Sequence, residues 1–305
     1  MGGLLTTSAG SGDPASGTVR ASAPGLDRDL IMTDADFNRV RQLIYQRAGI
    51  VLAEHKREMV YSRLARRLRL YRLTRFADYL ARLERQPEAR EWEAFTNALT
   101  TNLTAFFREA HHFPLLASHV QQQGGPVRVW CAAASTGEEP YSIAMTLSET
   151  LGAHAREARV LATDIDTDAL TRAREAVYPL EQVLKLPDER RKRFFLRGGG
   201  ARAGLARIRP ELMSMVEFRP LNLLAPSWPI EGPFDAIFCR NVMIYFDKET
   251  QARILDRFVP LLKPDGLLFA GHSENFSYIS QAFRLRGQTV YELADSASSR
   301  AASRR

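Results

Sequence analysis

Cysteine is nearly absent from the 305 residues: Cys131 and Cys239 are the only two, each inside an apolar run. Two thiols without a CxxC or Cys/His spacing exclude a disulfide scaffold and a structural zinc site, and are what a reduced, cytoplasmic protein carries in its core. No stretch approaches the roughly 18 uninterrupted apolar residues of a membrane helix, so no membrane insertion is expected. Neither a GxSxG elbow nor a Walker loop occurs, which removes α/β-hydrolase and P-loop chemistry. Acidic residues are outnumbered, 35 Asp and Glu against 42 Lys and Arg, leaving a formal charge of +7. That excess points to an anionic partner without choosing among nucleic acid, an acidic protein and a membrane face.

What is present is enough for a full core. Hydrophobic residues make up 45% and charged residues 25% of the chain, the balance of a globular protein of this length with room for two domains. Residues 1–29, rich in Gly, Ser, Ala and Thr, read as a disordered leader, because they lack the basic start and apolar centre of a secretory signal. The Ser/Ala/Arg tail 295–305 reads as disordered too.

Residues 30–98 have a helical pattern. Thr33 and Asp36 form a capping box before Phe37, Val40 and Ile44, which share one face up to Gly49. A second helix over Lys56 to Arg72 has a stripe of Val60, Leu64, Leu68 and Tyr71, with Arg63, Arg66, Arg67 and Arg69 on its other sides. Two shorter amphipathic segments complete a small all-helical N-terminal domain. Residues 99–125 form a linker and connecting helix. From 126 to 294, short apolar runs alternate with helical segments, which implies an α/β domain with a doubly wound, parallel sheet. Its expected strands include Val127–Ala132, Val160–Thr163, Phe234–Cys239 and Leu267–Ala270, the last preceded by a Lys263–Gly266 turn, and a hairpin of Phe283–Arg286 with Thr289–Leu293. Between about 178 and 220 the alternation breaks. Alternating residues at Ala206–Ile208 and Met215–Phe218 favour a small antiparallel β-subdomain inserted there.

Three places carry chemistry. The loop Ala132–Ala133–Ala134–Ser135–Thr136–Gly137 lets a ligand approach the backbone, and Glu138 and Glu139 follow it at a helix start. Two carboxylates there repel a phosphate and suit hydroxyls or a cation, which favours S-adenosylmethionine over a nicotinamide dinucleotide. An ordinary βα turn with helix-stabilising acids is the plain alternative. Asp164 ends the second strand, where Rossmann-like folds place an acid on ribose hydroxyls, or it caps the next helix. Tyr245 follows the strand Phe234–Cys239 and so lies beyond the carboxyl end of the sheet, where open α/β folds bind ligands; as an aromatic it also suits mere loop packing. His111, His112, His119 and His272 have no metal-ligand spacing and read as satisfied histidines.

The strings Thr100–Arg108, Ala132–Tyr141 and Phe234–Phe246, with Gly266–Asn275 near the end, closely resemble the CheR-type chemotaxis receptor methyltransferases, and the likeness spans nearly all of Asp34 to Leu293. The resemblance implies a Rossmann-like class I methyltransferase domain and transfer of a methyl group from S-adenosylmethionine to glutamates on the cytoplasmic methylation helices of bacterial chemoreceptors. It further implies cofactor contacts from Asn102, Thr104, Arg108, Glu139, Asp164, Asn222, Leu223, Arg240 and Asn241, with Tyr245 beside the transferred methyl and Arg108 supporting catalysis. The choice between Glu138 and Glu139 stays open, since the loop has a single glycine where many methyltransferases have several.

The partners expected are acidic receptor helices, docked on Arg63, Arg66, Arg67 and Arg69, and a receptor C-terminal pentapeptide, held as an added strand near Gly198, Gly199 and Gly200. The enzyme is expected to be a monomer recruited to membrane receptor arrays. A nucleic-acid methyltransferase competes on charge alone, but the arginines lack interleaved stacking aromatics and no nucleic-acid motif is present. A non-catalytic receptor-binding scaffold is disfavoured by the full set of cofactor-matching positions.

Overall fold

The computed structural model describes residues 30–86, 90–123 and 125–294; the expected leader 1–29 and tail 295–305 lie outside the described residues. The helical layer holds α1 (Asp34–Ala48), α2 (Arg57–Leu70), α3 (Phe76–Arg85) and α4 (Arg90–Leu99). Thr33 accepts from the Asp36 amide while Asp36 caps the Thr33 backbone, and Gly49 ends α1 at φ 69°, the left-handed turn that glycine adopts without strain. Val40, Ile44, Val60, Leu64, Leu68, Phe76, Tyr79 and Phe95 are wholly buried between these helices, each such aliphatic or aromatic side chain contributing about 1.5–3 kcal/mol.

After α5 (His112–Gln121) the α/β domain begins. Its strands are β1 (Arg128–Cys131), β2 (Arg159–Asp164), β3 (Val177–Pro179), β4 (Phe195–Arg197), β5 (Leu205–Ile208), β6 (Val216–Pro220), β7 (Phe234–Cys239), β8 (Leu262–Ala270), β9 (Phe283–Gly287) and β10 (Val290–Leu293). Its helices are α6 (Glu138–Leu151), α7 (Thr167–Glu175), the short α8 (Leu180–Val183), α9 (Asp188–Phe194) and α10 (Pro210–Met213), and α11 (Lys248–Phe258). Seven strands form one sheet in the order β6-β2-β1-β7-β8-β10-β9, parallel except for β10, which runs antiparallel to both its neighbours. All six residues of β7 are buried, as a central strand covered on both faces requires.

Two expectations are corrected. Residues Met215–Phe218 do not join the small antiparallel sheet, which is β3-β5-β4 alone. Val216–Phe218 enter β6, which pairs in parallel with β2 from Val160↔Val216 to Asp164↔Pro220 and forms the edge of the main sheet, and the Met215 carbonyl just before it accepts from the Val160 amide. Short alternation records one covered face and says nothing about which neighbour supplies the pairing. Lys263–Gly266 is not a free turn either. Phe234 pairs with Leu262 and Ala236 with Leu267, so the extra residues bulge out of a continuous β8.

His112 and His119 are buried and partnered, with Nε2 atoms 3.0 Å from the Gln288 carbonyl and 3.2 Å from that of Asp235, and burial depresses both pKa values, that of His112 to about 4. No helix among the described residues is long and apolar enough to cross a membrane.

Candidate active site

The carboxyl ends of β1, β2 and β7 face the helical domain across a cleft of about 370 Å³, within the range of small-molecule sites. All nine residues expected around the cofactor line it, as does Tyr245. They arrive from five parts of the chain: the linker after α4, the start of α6 after the β1 loop, the end of β2, the segment after β6, and the loop after β7.

The loop after β1 is shaped by its one glycine. Gly137 has φ 99°, and a Cβ there would lie 2.7 Å from the Tyr178 hydroxyl and 2.9 Å from Ala173 Cβ. The glycine therefore serves close packing against α7 and β3, while alanines and Ser135 face the cleft. Ser135, at φ 48°, donates its amide to Asp164 at 2.7 Å, and the Asp166 amide donates to the same carboxylate at 2.9 Å. Burial nevertheless pushes Asp164 up to about 6. Asp166, not Asp164, caps α7, accepting from the Ala169 amide at 2.9 Å. It also holds the linker through Thr100 at 2.6 Å and Asn102 at 2.7 Å, and Asn102 accepts from the Ser135 hydroxyl at 2.9 Å. One acid thus ends the strand toward the cleft while its neighbour caps the helix.

Glu139 lines the cleft, whereas Glu138 turns away and accepts from Thr136 at 2.7 Å. Glu139 is paired with Arg240 and accepts from the Cys131 thiol at 3.3 Å. Arg240 is 4% exposed; it also contacts Glu109 at 3.2 Å and donates to the Arg108 carbonyl at 2.6 Å. Burial opposes its charge, but Glu139 and Glu109 outweigh that and raise its pKa. Burial opposes Glu109 as well, and a hydrogen bond from His272 at 3.0 Å, with Arg240, holds it down at about 2. Sequence reasoning missed Glu109. It adjoins Arg108, but its meeting with Arg240 spans 131 positions and leaves no local pattern.

Phe107, Glu109, Ser135 and Asn241, all around this site, are among the eight non-glycine residues with positive φ in the described part of the chain. Such backbone costs about 1–3 kcal/mol each and persists where surrounding contacts over-determine it. Arg108 donates to the Leu103 carbonyl at 2.8 Å, fixing the linker, and Asn222 bridges to the helical domain through the Arg47 carbonyl at 2.8 Å. Tyr245 packs against the helical core, its carbonyl accepting from the Val51 amide at 2.9 Å.

The arginines of α2 divide. Arg67 is held by Glu91, which also accepts from Tyr71 at 2.6 Å and Tyr79 at 2.7 Å. Arg63 donates to the Thr100 carbonyl at 2.5 Å and so braces the linker. Arg66 and Arg69 are exposed. Gly198 sits in the β-subdomain where a Cβ would lie 2.2 Å from the Arg202 carbonyl oxygen, and Gly200 has φ 55°; Gly199 has open space beside it. None of these seven residues lines the cleft.

The chemistry of the cleft narrows the class. Glu139 stands at the helix start where a dinucleotide fold presents amides to phosphate, and Asp164 at the strand end where such folds place an acid on ribose hydroxyls, so the two carboxylates suit hydroxyls and a cation rather than a pyrophosphate; small side chains leave the backbone approachable. The residues present therefore fit S-adenosylmethionine, and with the observed strand order they define a class I S-adenosylmethionine-dependent methyltransferase. Residues 35–100 match the all-alpha domain of CheR methyltransferases and residues 102–292 match their SAM binding domain. The chain belongs to the CheR family of chemotaxis methyltransferases. It is 62% identical to a chemotaxis protein methyltransferase of Escherichia coli over 87% of this chain and 93% of that protein. It is 64% identical to the one of Klebsiella aerogenes over 87% and 91%, and 58% identical to chemotaxis protein methyltransferase 2 of Pseudomonas aeruginosa over 88% and 96%.

Proposed function

We propose that this enzyme esterifies glutamate side chains on the methylation helices of chemoreceptors, in the cytoplasm and at receptor arrays. The observation that carries the reading is the state of the acids in the cleft. Glu139 is paired with Arg240 and accepts from Cys131, Asp164 accepts one backbone amide on each oxygen and keeps its remaining lone pairs for ligand hydroxyls, and no histidine lines the cleft among the described residues. A hydroxyl or ammonium acceptor would require a base to remove its proton. A glutamate, with an ordinary pKa near 4.3, is already anionic at neutral pH and requires none. The names of the relatives support a chemotaxis substrate.

S-adenosylmethionine supplies, when bound, a methyl group on a sulfonium sulfur. Asp164 accepts from hydroxyls, Glu139 with Arg240 sets the electrostatics of the adjoining wall, and Asn102 with Arg108 fixes the linker across the opening. Tyr245 orients the incoming carboxylate. A strong cationic grip on that carboxylate would stabilise the ground state more than the transition state, so a neutral phenol suits the task. Tyr245→Phe is expected to lower kcat roughly tenfold or more by misaligning the acceptor, with S-adenosylhomocysteine affinity little changed. Base-labile methanol release from labelled receptor membranes measures it; full turnover by the variant removes Tyr245 from this role.

Docking of the acidic receptor helix falls to Arg66 and Arg69, since Arg63 and Arg67 are engaged internally. Exposed pairs contribute about 0.2–1 kcal/mol each, so Arg66→Gln with Arg69→Gln should raise the receptor KM about twofold to thirtyfold at low salt. The difference should shrink near 0.5 M salt, where screening is strong. A salt-independent KM equal to that of the unaltered enzyme rejects the docking face. The receptor's C-terminal pentapeptide would add a strand to the β3-β5-β4 sheet beside Gly198–Gly200, where neither outer strand is paired with a further strand among the described residues. Calorimetry with that peptide reports heat if the tether exists and none if it does not.

A further inference from the structure

Glu274 is a buried carboxylate that the cleft does not use. It lies in the loop after β8, is 4% exposed, and does not line the cleft. Its oxygens accept from three backbone amides: Gly271 at 2.6 Å and Asn241 at 2.9 Å on Oε2, and Met243 at 2.8 Å on Oε1. Burial raises its pKa against the pull of these amides. Two of the three donors belong to the loop that carries the site. Asn241 stands at φ 58°, and Met243 opens the single helical turn Met243–Tyr245 that presents Tyr245. Gly271 makes the approach possible, since a Cβ there would lie 2.3 Å from Asn241 Nδ2 and 2.9 Å from Glu274 Oε2.

We propose that Glu274 is a positioning residue for methyl transfer, its carboxylate pinning the amides of Asn241 and Met243 and thereby setting the orientation of Tyr245. Its lone pairs are directed at amides and it is shut off from the cleft, so it touches neither substrate nor cofactor. A carboxylate suits the post because it accepts at both oxygens, whereas an amide side chain turns one of them into a donor facing an N–H. The inference rests on the assignment of Tyr245 given above.

The test is a double-mutant cycle on kcat, with labelled S-adenosylmethionine and chemoreceptor membranes. Glu274→Gln should lower kcat roughly tenfold or more, as a misplaced reacting group does, with the KM for S-adenosylmethionine moving much less. In the Tyr245→Phe background the same substitution should cost little further. An equal, additive loss in both backgrounds makes Glu274 merely structural and overturns the inference, as does an unchanged kcat. Where Glu274→Gln fails to fold, Gly271→Ala presses on the same loop and should give the same non-additive loss, with additivity again overturning it. If Tyr245→Phe alone is silent, the assignment of Tyr245 falls and takes this inference with it; if Tyr245→Phe is slow and the cycle is additive, only the inference falls.

Discussion

Replacing Arg240 by methionine should destabilise the protein by about 3–5 kcal/mol, because a buried cation between two acids is removed and the acids are left behind. Arg240 holds Glu139 and contacts Glu109 at 3.2 Å, and both carboxylates are largely shut off from water. Methionine fills much of the volume but offers neither charge nor donor, and the Arg108 carbonyl loses its partner as well. The pH dependence supplies a signature. Burial already raises the pKa of Glu139 against the pull of Arg240; without the arginine it rises further. A group whose folded pKa lies above its unfolded value loses stability as pH climbs through that interval. The deficit in urea unfolding should therefore be larger at pH 8 than at pH 5, as Glu139 takes up a proton in acid. A loss below about 1 kcal/mol, typical of an exposed pair, or a deficit flat with pH, would show that the three charges are not coupled.

The second large effect is expected at Asp164. Hydrogen bonds to a charged group contribute about 1.5–3 kcal/mol, so Asp164→Asn should weaken S-adenosylhomocysteine binding roughly 10- to 100-fold. Burial holds the Asp164 pKa at about 6, which places the titration in an accessible range. Protonation removes acceptor capacity, so affinity should fall as pH drops through 6, whereas the asparagine variant should be flat across the same range. The linkage to folding has the opposite sense: a raised folded pKa means that the group's contribution to stability is full below its unfolded value and is lost as pH rises through about 6. Acid should thus weaken the ligand while relieving the buried charge. Calorimetric titration from pH 5 to pH 8 checks this; a wild-type affinity independent of pH would remove Asp164 from the ligand's hydroxyls.

Much of this was legible because the relevant signals are local. The capping box at Thr33 and Asp36, the apolar stripe of α2 and the buried run of β7 each arise within a few residues, where periodicity and side-chain chemistry decide the element. The small-residue loop before Glu138 and the acid at the end of β2 were visible for the same reason. Pairing was not visible. Val216–Pro220 is compatible with either sheet until β2 is beside it, and Lys263–Gly266 is a turn until β7 pulls both flanks into register.

Charge behaves in the same way. Four arginines along α2 look alike as a string, yet Glu91 withdraws Arg67 and the Thr100 carbonyl occupies Arg63, leaving Arg66 and Arg69 exposed. The sequence alone determined the helical and α/β halves, the strand ends that line the cleft, and through its long motifs the family. Tertiary structure alone decided that Glu139 rather than Glu138 walls the cleft, that Arg240 sits between Glu139 and Glu109, and that Glu274 holds the loop bearing Tyr245. The physical reason is range: backbone preference and amphipathic period act over a turn or two, whereas pairing of a buried charge depends on whichever distant group the fold brings within about 3 Å.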